Sequence, residues 1–285
     1  MWTLVIMAAA LLATDDAAAL FAAQNWPKAA AAYEKVTWAE PGSAVAWYRL
    51  GVSRHHLEQY DKAVEAYAKA ESLQPSMRGL AYNLACAQAL GGRADRALEA
   101  LSRAIEVDFI TPERLKEDAD LQSLRDRKEF AALLDKADRK VRPCEHDLLA
   151  RQFDFWVGEW EVFTPQGSRA GHNKITRTDN GCLLLEEWTG GLGGTGRSLN
   201  FYDATSGKWN QVWVDSTGNI LRYEGGFQDG AMVMIGHPSG RSPGQTIRTS
   251  WSALPDGRVR HASDVTSDGG KTWEPRFELL YTRSR

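Results

Sequence analysis

AWYRLGVSRHHLEQYDKAVEAYAKAESLQP, residues 46–75, decides the fold of the N-terminal half. Ala63, Tyr67 and Pro75 stand 34 residues after Ala29, Tyr33 and Pro41. They stand 34 residues before Ala97, Leu101 and Phe109, so the chain repeats itself. Small residues at Gly51 and Ala63 let two antiparallel helices approach closely. Trp47, Leu50, Tyr60, Tyr67 and Ala70 fill the space between them, and Pro75 stops the second helix. A unit of this size cannot bury its apolar face alone, so successive copies predict a stacked helical array.

Outward from that unit, GLAYNLACAQALGGRADRALEALSRAIEVD (79–108) supplies a third copy, with Leu84, Ala85, Ala97, Leu101 and Ala104 in place. A first copy carries Trp26, Ala29, Tyr33 and Pro41, and residues 115–140 read as one or two capping helices. Period, residue type and order together resemble the tetratricopeptide repeat. The resemblance implies protein or peptide partners, held on a concave face lined by the first helix of each repeat. That face would display Val45, Tyr48, Arg49, Val52 and His55, then Tyr82, Asn83, Cys86 and Ala89. Chaperone-tail binders of the family clamp a terminal carboxylate with cations. Gly79 and Asn83 stand where the third repeat would need them, so that clamp is not expected. A rigid spacer or dimerisation unit is the alternative use of the array.

After Pro143 the apolar period shifts from 3.6 toward 2. Ten short alternating segments follow, from DFWVGEWEVF (154–163) to RFELLYTR (276–283). Turn signals such as DNG, STGN, QDG and PDG separate them. This pattern predicts an antiparallel meander closing into a barrel, with a sandwich as the alternative. Gly158-Glu159-Trp160 on the first strand resembles the GxW fingerprint of lipocalins and related calycin barrels. There the Trp plugs one end and a basic residue from the last strand lies across it, the part implied for Arg283. The opening FDFWVGEWEV, with GC, EEW, YD, WNQVWVD and the closing LLYTR, looks like a bacterial lipocalin-like family without a firmly assigned function. The resemblance spans nearly all of residues 150–285. Longer relatives in it often carry a signal peptide and a similar cysteine pair.

The expected fold is therefore α+β in two separate domains. An α-helical tetratricopeptide solenoid of three repeats and caps covers 14–140, and a linker covers 141–150. An antiparallel β-barrel of about ten strands covers 151–285. Residues 1–13 read as a signal peptide. The apolar run WTLVIMAAALLA (2–13) is too short to span a bilayer and suits a secretory h-region. A buried first helix is the alternative. No other stretch approaches transmembrane length, so no integral membrane segment is expected. Export would place the protein in the periplasm or outside the cell; without a signal peptide it would be cytoplasmic. In an oxidising compartment, Cys144 and Cys182 would form a disulfide tying the linker to the barrel. Cys86 reads as a small buried apolar residue.

The composition counts 34 Lys plus Arg against 37 Asp plus Glu, a formal charge of -3. Neither half carries a basic excess, which argues against nucleic acid as a partner. No metal site is expected: no Cys/His spacing suits zinc, and His55-His56, adjacent on a helix, cannot face one ion. Seven of the 11 Trp lie after residue 150. By strand parity Glu186 shares a side with Trp188, Asn200 with Ser198 and Tyr202, and Gln211 with Trp209 and Trp213. If these sides and His261 point inward, they line a pocket for a small apolar or amphipathic ligand. A lumen filled solidly by the same rings is the alternative.

Other motifs carry less chemistry. GGLGGTG (190–196) lacks the GK[ST] ending of a phosphate loop and reads as a hairpin. Glu186 and Glu187 face opposite sides of a strand and cannot act as paired acids. TSDGGKTW (266–273) resembles an Asp-box turn. No GxSxG or HExxH occurs. The reading is a non-catalytic exported scaffold with no cofactor. Two alternatives are an enzyme using Glu186 or His261 as acid–base in the barrel mouth, and a haem- or cofactor-binding barrel ligated by His261.

Overall fold

A computed structural model describes residues 16–238 and 244–284. The expected signal segment, 1–13, lies outside the described residues. The chain divides into two units, Met1–Val141 and Arg142–Arg285.

In the first unit, α1 covers 16–22, followed by α2 (Trp26–Ala39), α3 (Ala44–His56) and α4 (Tyr60–Leu73). Then come α5 (Leu80–Leu90), α6 (Ala94–Val107), the short α7 (Pro112–Glu117), a 3-10 segment (Ala119–Leu124) and α8 (Lys128–Val141). Local chemistry marks the helix starts. Ser43 Oγ accepts from Ala46 N, and Thr111 Oγ1 caps α7 just before Pro112. Close approach of α3 and α4 depends on Gly51: a Cβ there would lie 2.5 Å from the Tyr67 ring. Ala63, Ala66 and Ala70 are fully buried on the facing side of α4. No described helix is long and apolar enough to cross a membrane.

The second unit is a closed barrel in which every strand pairs antiparallel with its sequence neighbours. Its strands are β1 (Gly158–Phe163), β2 (Arg169–Thr178), β3 (Leu183–Gly190), β4 (Thr195–Asp203) and β5 (Lys208–Asp215). They continue with β6 (Ile220–Gln228), β7 (Ala231–Pro238), β8 (Thr246–Ala253), β9 (Val259–Thr266) and β10 (Glu274–Arg283). β1 closes the ring against β10, with Trp160 opposite Arg283. A closed ring leaves no free edge, which a sandwich would have.

Two boundaries differ from the sequence reading. Asp154–Trp156 forms a 3-10 turn and the first strand begins at Gly158, because Phe153 and Trp156 are spent in the core. The stretch expected as a linker belongs to the barrel unit from Arg142 onward. There α9 (Pro143–His146) is tied by the Cys144–Cys182 disulfide to the turn before β3. Trp209 Nε1 also donates to Leu149 O at 3.1 Å.

Candidate functional site

One end of the barrel is sealed by rings. Phe153 stacks on Trp156 at 4.8 Å between centroids, and Trp209 and Trp251 approach Phe153 edge-on. Trp160 is fully buried and donates from Nε1 to Trp156 O at 2.8 Å. The Arg283 guanidinium lies 4.1 Å over the Trp160 ring and donates to Val157 O at 2.8 Å. Gly158 has φ +141°, and a Cβ there would collide with Arg283, so glycine is required on both counts. Gly158, Trp160 and Arg283 thus form one end cap.

Toward the other end the lumen opens into a cavity of about 430 Å³. Its apolar walls include Trp188, Trp213, Leu221, Ile247, Phe277 and Leu279. Three inward glycines explain why the rings do not fill it. A Cβ on Gly171, Gly196 or Gly236 would fall within 2.7 Å of the ring of Trp188, Trp213 or Tyr223 respectively. Each ring lies flat against the wall where its glycine leaves room. The lumen stays open between them.

A buried polar ladder runs across β2 to β5 beside the cavity. Gln211 Nε2 donates to Asn200 Oδ1 at 2.8 Å, and Asn200 Nδ2 donates to Ser198 Oγ at 2.8 Å. Ser198 Oγ donates to Glu186 Oε2 at 2.5 Å, and Asn173 Nδ2 donates to Glu186 Oε1 at 2.7 Å. The ladder ends on one carboxyl, although Asn200 Nδ2 also donates to Leu184 O at 3.1 Å. Burial pushes the Glu186 carboxyl above its ordinary range, and the bonds from Ser198 and Asn173 only partly oppose that.

His261 on β9 stacks on Trp251 at 4.4 Å, with Phe277 edge-on at 4.9 Å. Its Nε2 lies 2.9 Å from Thr249 Oγ1 and its Nδ1 3.2 Å from Tyr281 OH. Burial drives its pKa down to about 3. A general base near pH 7 wants a pKa near 7, and an axial haem ligand needs an uncommitted nitrogen. His261 offers neither.

Of the residues expected in the lumen, Glu186, Trp188, Gln211, Trp213 and His261 converge on this cavity. Asn200 is fully buried behind them in the ladder. Tyr202 packs 6.2 Å from Trp209, among the rings of the sealed end. Sequence reasoning passed over Tyr223, Thr249, Trp251, Phe277, Leu279 and Tyr281, although their strand parity was readable. It also missed Arg276, which strict alternation would turn outward. A register shift between Pro275 and Phe277 brings both Arg276 and Phe277 to the lining.

The repeat groove is more enclosed than its sequence suggests. Nine of the 11 residues of α5 are buried, Tyr82, Cys86 and Ala89 among them, so α5 presents no free face. The 3-10 segment after α7 packs along it. Tyr82 OH donates to Asp118 Oδ2 at 2.6 Å, and Arg114 lies 4.3 Å over the Tyr82 ring. His55 Nε2 lies 3.0 Å from Asp120 Oδ2, so the segment reaches past α5 to α3. Asn83 Nδ2 donates to Tyr48 OH, and Arg49 Nη1 donates to Tyr33 OH, each at 2.8 Å. Val52 packs against the core. Cys86 comes within 4.8 Å of the Asp118 and Asp120 carboxylates. Those carboxylates are already engaged by Tyr82, His55 and the backbone.

Residues 44–77 match the tetratricopeptide repeat family model, which covers α3 and α4. Such repeats are protein-interaction modules. Among solved structures, the TPR2B-domain:pHsp70-complex of yeast Sti1 is 23% identical, covering 46% of this chain and 97% of that one, with TM-score 0.33. The MamA RS-1 ArsTM double mutant is 23% identical over 46% and 74%, with TM-score 0.37. The type III secretion translocator chaperone SycD of Yersinia enterocolitica is 15% identical over 46% and 92%, with TM-score 0.34. No curated protein matches the chain.

Proposed function

We propose that the protein is an exported, non-catalytic binding protein. Its barrel holds one small apolar or amphipathic ligand, and its repeat unit engages a protein. The observation that carries the barrel reading is the cavity of about 430 Å³, walled by tryptophans and open opposite a sealed end. That volume falls within the range of small-molecule sites, about 300–1,000 Å³. The lipocalin-like reading gains support from Arg283 lying over Trp160 beside Gly158. Export is supported by the apolar run 2–13 and by the Cys144–Cys182 disulfide, a bond that persists in oxidising compartments. His261, held neutral and bonded at both nitrogens, favours binding over acid–base catalysis.

The test is a titration with N-phenyl-1-naphthylamine, a neutral apolar dye whose emission rises out of water. One dye should bind per chain, and Leu279→Trp, which fills the cavity, should abolish binding while the fold is kept. Dye binding that survives Leu279→Trp unchanged, or no binding to the wild type, would overturn the reading.

A further inference from the structure

Glu186 lines the cavity, is 5% exposed, and among the described residues is hydrogen-bonded by the neutral Asn173 and Ser198. Beside it Asn173 Oδ1 is fully buried and accepts no hydrogen bond. Among the described residues, the Glu186 carboxyl therefore meets the cavity with no cation beside it, and the unbonded amide oxygen lies behind it in the wall. Burying an unpaired carboxylate is costly, so this group is stabilised by a proton or by a cation.

Among the described residues, the other charged groups at the cavity do not answer it. Asp215 is consumed by its own turn, accepting from Thr217 N, Thr217 Oγ1, Asn219 N and Asn219 Nδ2. Arg276 is exposed and makes a long bond to Ser263 Oγ at 3.5 Å. His261 is bonded to Thr249 and Tyr281. An anionic ligand held at Arg276 would bring a second negative charge into the cavity that holds the Glu186 carboxyl. A cationic ligand meets that carboxyl with the opposite charge, and an ammonium adds N–H donors to oxygens that each hold one neutral donor.

We propose that the cavity takes an amine on an apolar body, with the ammonium seated on Glu186 and the body between the tryptophan walls. This rests on the barrel being a ligand carrier and goes further by naming the charge and class of the ligand.

Three probes with one tail test it: dodecylamine, 1-dodecanol and lauric acid. Each is titrated near neutral pH and below its aggregation concentration into the full-length protein, with tryptophan fluorescence and calorimetry as readouts. Dodecylamine should bind about tenfold or more tighter than either of the others. Glu186→Gln should erase that preference while leaving dodecanol within about twofold. Arg276→Gln should leave the preference in place. Lauric acid binding tightest, equal binding of all three, or a preference that survives Glu186→Gln would overturn the amine assignment alone. Binding of none would overturn the carrier reading and this inference with it. If Glu186→Gln does not fold, the wild-type comparison still decides. Ser198→Ala, which removes a donor and keeps the carboxyl, should then retain the amine preference.

Discussion

The two units bury different kinds of side chain, and the contrast follows from their geometry. Helices of the repeat unit meet along seams of Ala63, Ala66, Ala70, Ala97, Ala100 and Ala104, each fully buried, so backbones approach closely. Its polar side chains mostly bridge elements, as His55 does to Asp120 and Tyr82 to Asp118. A ten-stranded barrel encloses more volume than its wall side chains fill. It seals one end with Phe153, Trp156, Trp160 and Trp251, and toward the other it presents Glu186 and Gln211, backed by the buried Asn173, Ser198 and Asn200. A helical array consumes its interior in folding, whereas a barrel has interior left over for a ligand.

That contrast can be broken most forcefully at the sealed end. Trp160→Ala removes a fully buried ring, its bond to Trp156 O and the seat of Arg283. It should cost the barrel about 3–5 kcal/mol in denaturant unfolding, with the repeat transition unmoved. A loss under about 1 kcal/mol would mean that the cap is not structural.

The open end responds to pH instead. His261 has a folded pKa of about 3, below its ordinary value, so unfolding takes up a proton that the folded barrel refuses. Its contribution is present above about pH 6.5 and is lost as pH falls toward 3. Glu186, with its pKa raised, acts in the opposite sense: its contribution is full at low pH and lost as pH rises. Because the two oppose each other, the comparison must be with His261→Gln. Between pH 6 and 4 the wild type should lose about 2 kcal/mol more than the variant. Parallel curves would mean that His261 titrates as it does in the unfolded chain.

The smallest effect belongs to the repeat unit. Gly51→Ala drives a methyl into the Tyr67 ring, which can tilt aside only by disturbing the α3–α4 seam. About 1–2 kcal/mol should disappear from the repeat transition alone. An unchanged transition would show that this seam has slack.

Much of this architecture was legible in the chain, for reasons of period. The 34-residue recurrence of Ala29, Ala63 and Ala97 marks helix pairs because each unit must solve the same packing problem. Period-2 alternation put Glu186 and Trp188 on one side of β3, and Gln211 and Trp213 on one side of β5. What remained hidden depends on departures from period or on distant segments. Arg276 enters the lining at a register shift that alternation cannot announce. Gly171, Gly196 and Gly236 look like turn or flexibility residues until the rings resting on them are seen. The reach of Asp120 to His55 across 65 residues has no local signature. Residues 141–150 read as a linker because the ties that join this stretch to the barrel come through Cys182 and Trp209, far along the chain.

The most direct measurement is native mass spectrometry of the purified protein, compared with its denatured mass. A carrier barrel predicts one bound small molecule per chain that is released on denaturation and is missing in Leu279→Trp. Identical native and denatured masses, in protein that also takes up no added amine, alcohol or acid, would contradict the account.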